Sequence, residues 1–235
     1  MIVKKILISF SLLLAGTLAS GQTGTFFGIE GGLNCVWISN QNTYGEPELD
    51  YLLKISPRVS VIAGHMFTEK IGLRTEIGWA RMGQKYYGKQ YLRPAERYIL
   101  MDYLQVPALV KFIAGKQRTK LYLLGGPQLC LLVHADQTYT RDGANAPPFY
   151  NTEINQWIDV SKNNITSRYR KFDVMIRLDL GAHFRIKEKK FIDLGITAAY
   201  GLIDLNKKEW RLDNIQHTYG RSHSFYSGLT LCFLF

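Results

Sequence analysis

Residues 172–186 alternate without a break. Phe172, Val174, Ile176, Leu178, Leu180, Ala182, Phe184 and Ile186 fall on one face, and Asp173, Met175, Arg177, Asp179, Gly181, His183 and Arg185 on the other. A helix would scatter these residues around its circumference; only a period of two separates them. The run exceeds the roughly 5–6 residues of an ordinary soluble strand and suits a tilted strand that crosses a bilayer and projects beyond it. Comparable segments recur at 25–38, 57–67, 71–86, 99–114, 120–138, 171–186, 191–205 and 223–235, which predicts eight strands.

The connections alternate in length. Thr68-Glu69-Lys70, Gly115 to Thr119 and Lys187-Glu188-Lys189-Lys190 are short, whereas 39–56, 87–98, 139–170 and 206–222 are long and rich in Gly, Pro, Asn and charge. Short turns on one rim and long loops on the other predict an all-β, eight-stranded antiparallel up-and-down transmembrane β-barrel. The expected location is the outer membrane, with long loops extracellular and short turns periplasmic. The chain stops at Phe235 with Phe225, Ser227, Leu229, Leu231 and Phe233 on the same face. This last strand must pair with the first, because an open sheet edge cannot survive in hydrocarbon.

At the N-terminus, Lys4-Lys5, an apolar run from Ile6 to Ala15 and the small-residue stretch Gly16 to Gly21 read as a secretory signal peptide, residues 1–21. Residues 22–235 form the barrel domain, and no linker divides them. The net charge of +10 includes Lys4 and Lys5, which leaves +8 spread over short segments of the mature chain. No basic helix is present, so the charge points to lipid and lipopolysaccharide headgroups at the rims and not to nucleic acid. Cys35, Cys130 and Cys232 are odd in number and lie inside strand-like runs, which argues against a disulfide scaffold.

Several segments together resemble the PorT-type outer-membrane β-barrel family. They are Gly28-Ile29-Glu30-Gly31-Gly32-Leu33-Asn34, Leu73 to Trp79, Gly83-Gln84-Lys85-Tyr86, Tyr103 to Lys111, Tyr122 to Pro127 and Asp179-Leu180-Gly181-Ala182. Gln105 stands where that family often carries Glu. The resemblance implies the barrel fold and a role as an accessory of type IX secretion or gliding machinery.

The predicted inward face carries Glu30, Asn34, Arg74, Glu76, Gln105, Lys111, Asp173, Arg177, Asp179, His183, Arg185 and Asp193. In so narrow a barrel these groups are expected to form a lumenal polar network that plugs the interior. Catalytic, cofactor and metal sites are not expected. His217, Ser222, His223 and Ser224 form a Ser/His cluster near a loop end, read as rim polarity, and the dispersed histidines lack metal-ligand spacing. Trp37, Trp79, Tyr86, Tyr87, Tyr103, Tyr139, Tyr200 and Tyr226 are candidates for interfacial girdles. Phe149, Tyr150, Trp157 and Tyr169 offer an alternative reading of loop 139–170 as a carbohydrate platform. The function expected is that of a monomeric, non-enzymatic outer-membrane protein engaging secretion or gliding proteins. A structural or adhesive surface protein is the alternative, and a lipid-modifying enzyme the remote one.

Overall fold

The computed structural model describes residues 24–39, 49–90, 92–115, 119–151, 155–159, 164–187, 190–210 and 220–235; the expected signal peptide lies outside them. Eight long strands make the wall: β1 (Gly24–Ser39), β2 (Lys54–Met66), β3 (Ile71–Gln90), β4 (Arg93–Ala114), β5 (Thr119–Arg141), β6 (Phe172–Lys187), β7 (Lys190–Gly201) and β8 (His223–Leu234). Each pairs antiparallel with its neighbours in sequence. β8 returns to β1 from Gly28↔Leu234 to Ser39↔His223, so the sheet closes and has no edge within the membrane.

One set of side chains on each strand faces the lumen and the other faces lipid. On β3 the outward positions Ile71, Leu73, Thr75, Ile77 and Trp79 carry no charge, and Arg81 follows. That stretch has the ~9–11 residues a tilted strand needs to cross the bilayer. On β4 the uncharged outward run ends at Leu104, before Asp102, and on β5 at Val133, before His134 and Asp136. Arg81 Nε lies 2.8 Å from Asp102 Oδ1, and His134 Nε2 lies 2.7 Å from Asp136 Oδ2. This ring of polar contacts marks the outer limit of the apolar belt.

Beyond it β3, β4 and β5 continue as a three-stranded projection, which departs from the sequence expectation. Of the expected loop 87–98, the described residues 87–90 and 92–98 belong to a hairpin paired through Lys89↔Pro94 and Gln90↔Arg93. Charged and polar outward residues end the apolar pattern there without ending the strands, since above the membrane the outer face meets water. β5 also bulges at Val133, where Tyr103 pairs with Leu132 and Asp102 with His134. Its inward residues consequently switch from Leu124, Gln128, Cys130 and Leu132 to Ala135, Gln137 and Tyr139. The short strands Asp50–Leu52 and Ala144–Asn145 cover the two sides of the projection.

The girdle expectation holds in part. Trp37, Tyr87 and Tyr200 are exposed and Trp79 is half-buried, whereas Tyr86, Tyr103, Tyr139 and Tyr226 point into the lumen. Strand parity decides it: Tyr86 and Tyr226 share their faces with Gln84 and Ser224, which are buried.

Gly83 sits where β3 leaves the membrane, at φ +126°, and a Cβ there would lie 2.1 Å from the Ile99 carbonyl oxygen. Gly83→Ala is expected to cost about 1–3 kcal/mol through forced backbone strain. Urea folding titrations in lipid vesicles measure it.

Candidate functional site

The lumen is built in layers. Toward the turn rim, Leu109, Tyr122 and Leu124 pack with Ile113, and Ile62, Cys232 and Leu234 pack with Phe26 and Phe191. These groups close the short-turn end.

Above them lies an ion-pair lattice. Glu30 receives Arg58 at 2.6 Å, Arg74 at a very short contact and Arg177 at 3.2 Å. Glu76 receives Arg74 at 2.7 Å and Arg177 at 3.0 Å, and Arg177 reaches Asp179 at 2.6 Å. Ser60 Oγ donates to Glu76 at 3.0 Å. Five strands meet there: Glu30 comes from β1, Arg58 and Ser60 from β2, Arg74 and Glu76 from β3, Arg177 and Asp179 from β6, and Thr197 of β7 donates to Asp179. Arginine suits this place, because its planar fork bonds two carboxylates at once and keeps its charge when buried. A smaller group lies beside it, where Lys111 Nζ stands 2.9 Å from Asp193 Oδ2, and His183 hydrogen-bonds the other Asp193 oxygen.

The remaining sequence-predicted residues stand apart from these two groups. Asn34 is buried opposite Gly228, and its side-chain oxygen has no partner. Gln105 faces the lumen one layer higher, and Asp173 accepts from Ser224 Oγ at 2.8 Å near the loop rim. Arg185 is a correction: it is exposed, because it falls at the bulge that ends the β6–β7 ladder, past the packed lumen.

Sequence reasoning missed Arg58, which closes the lattice, and also Lys54, Arg97, Gln128 and Gln137, all buried in the lumen. The signal for Arg58 was present in the alternation of Lys54, Ser56, Arg58, Ser60 and Ile62, which starting the strand at Pro57 cut short. Arg97 was hidden by assigning its segment to a loop.

The loop-side half of the lumen is mainly apolar, which a polar-network reading does not anticipate. Val36, Ile38, Met82, Ile99, Met101, Tyr103, Met175 and Tyr226 pack there, and Leu49, Ala146, Ile165, Tyr169 and Leu205 from the loops close the top. Tyr169 is therefore interior and no part of an exposed aromatic platform. Trp157 is 70 % exposed. The short strand Phe149–Asn151 pairs with Gln156–Ile158, but the side chains of Phe149 and Tyr150 lie outside the described residues.

No nucleophile and base are brought together by these contacts. Ser222 accepts from Asn206 Nδ2 at 3.1 Å, Ser224 donates to Asp173, and His223 stacks on Tyr200. His217 lies outside the described residues. Among the described residues no group of three or more His, Cys, Asp or Glu side chains is placed to hold a metal ion. The lattice's chemistry is electrostatic: its ion pairs tie β1, β2, β3 and β6 to one another across the lumen.

A family model described as outer membrane protein beta-barrel domain matches residues 20–207. No curated protein matches the sequence. Solved structures similar to this chain include Neisserial surface protein A, at 12% identity over 90% of this chain and 98% of that one, TM-score 0.42. The attachment invasion locus protein Ail of Yersinia pestis is 13% identical over 90% and 99%, TM-score 0.40. OprG of Pseudomonas aeruginosa is 10% identical over 90% and 96%, TM-score 0.43.

Proposed function

Because this chain belongs to the outer membrane protein beta-barrel domain family, we propose that it is a monomeric, closed, non-enzymatic anchor that holds a protein-binding projection above the membrane it is integrated in. The observation that carries this reading is the extension of β3, β4 and β5 past the uncharged belt, as far as Gln90, Arg93 and Arg141. A barrel that only filled the membrane would have no use for it. At the hairpin tip Leu92 is 93 % exposed and holds φ 66°. A bulky residue in that conformation costs ~1–2 kcal/mol, and strain at an exposed apolar tip fits a contact site.

Nearer the membrane, the outward residues Arg81 and Lys85 of β3 follow directly on the uncharged belt, at the height where lipopolysaccharide phosphates would meet them. The resemblance of segments such as Tyr103 to Lys111 to the PorT-type family supports a secretion or gliding apparatus as the partner engaged. The alternative is attachment to surfaces.

Leu92→Asn separates contact from folding, since Asn tolerates the left-handed conformation. The expected result is unchanged barrel insertion, read as a heat-dependent gel shift, with the partner-dependent phenotype reduced several-fold. In a deletion strain complemented with either form, lost protein export supports the secretion role. Intact export with weakened attachment supports the adhesive one, and an unaltered phenotype in both assays contradicts the projection's role.

A further inference from the structure

Four methionines lie beyond Met1, and three of them, Met82, Met101 and Met175, belong to the same loop-side lumenal cluster as Cys130. They come from four different strands, β3, β4, β6 and β5. The contacts among them are specific. Gln128 Nε2 lies 3.4 Å from Cys130 Sγ and 3.5 Å from Met175 Sδ, so one amide group is shared by two sulfurs. Gln105 Nε2 lies 3.9 Å from Met82 Sδ. Three sulfur lone pairs thus converge on two NH2 groups whose partial positive charge occupies the place an electrophile would take. In the same cluster the hydroxyl of Tyr103, 1 % exposed, has no hydrogen-bond partner.

We propose that Cys130, Met82 and Met175 form a binding site for a soft monovalent metal ion of the copper(I) class. Thiolate and thioether ligands select such ions, whereas the oxygen-rich lattice below them offers only hard donors. Binding exchanges the Cys130 thiol proton for a Cu–S bond and releases that proton to solvent. Gln105 and Gln128 turn their amides away by side-chain rotation, and the Tyr103 hydroxyl is then available to donate to the metal-bound sulfur. Packing alone accounts for one or two flexible methionines in a core. It gives no reason for Cys130 and Met175 to share the Gln128 amide while Met82 meets that of Gln105.

The test is copper(I) retention by the full barrel purified from outer membranes in detergent, under ascorbate and against bicinchoninate as a competing chelator. One copper(I) per chain is expected, kept in a Cys35→Ser/Cys232→Ser background. Adding Cys130→Ser should abolish retention, and Met175→Leu, a volume-conserving exchange, should weaken it at least tenfold with the gel shift intact. X-ray absorption of the loaded protein should show a sulfur-only shell. No retained copper, retention undiminished by both substitutions, or a nitrogen and oxygen shell would each overturn the proposal.

Discussion

Arg177→Leu is expected to lower folding stability by about 3–5 kcal/mol, the range for removing one partner of a buried ion pair. Arg177 is 1 % exposed and contacts Glu30, Glu76 and Asp179 at once. Leucine fills much of its volume and leaves three carboxylates facing each other with only Arg58 and Arg74 to balance them. The cost therefore arises from the charges left behind and not from a cavity. Adding Glu76→Gln to Arg177→Leu should recover part of the loss. Urea titrations in lipid vesicles on the wild type, both single variants and the double variant measure the coupling. A strictly additive double variant would mean that the lattice does not act as a unit.

The second large effect comes from the residue next to it on the opposite face. Leu178→Arg is expected to cost roughly 2–4 kcal/mol if Leu178 lies near the bilayer midplane. Leu178 is exposed on the outer wall between its ladder partners Gly125 and Ala198. Asp179→Arg, one position on, must instead act inside the lumen, where it adds a fourth arginine to Arg58, Arg74 and Arg177. The two can be told apart by bilayer thickness. In vesicles of shorter-chain lipid the Leu178→Arg penalty should shrink, because the charge reaches water more easily, while the Asp179→Arg penalty should stay constant. Equal responses would place the register one residue out.

Much of this architecture was legible in the sequence because a membrane barrel writes its two solvents onto alternate residues. The β6 run is the clearest case, with Ile176, Leu178 and Leu180 outward and Arg177 and Asp179 inward. The rule weakens where one of the two solvents changes. Above the membrane both faces of β3 and β4 tolerate polar residues, so this segment looked like a loop although the ladder continues from Lys85↔Tyr98 to Gln90↔Arg93. At Val133 a single extra residue reverses the parity, and no composition signal announces it. Of the lumenal site, the carboxylates and arginines of β1, β3 and β6 could be read from parity alone. Their grouping into one lattice, with His183, Lys111 and Asp193 as a separate cluster, depends on strand stagger, which alternation does not encode. Nor does it reveal that the loop-side lumen is apolar, because Met82, Met101 and Met175 read as ordinary hydrophobic residues until closure of the barrel brings them together.

Current through a planar lipid bilayer containing the purified barrel tests the account most directly, since its centre is a membrane-spanning wall around a filled lumen. The account predicts a baseline indistinguishable from protein-free bilayer at moderate voltage, with insertion verified by the heat-dependent gel shift of the same preparation. Stable stepwise openings would contradict it, because ions could pass only if the Glu30, Arg74, Glu76, Arg177 and Asp179 lattice left an aqueous path.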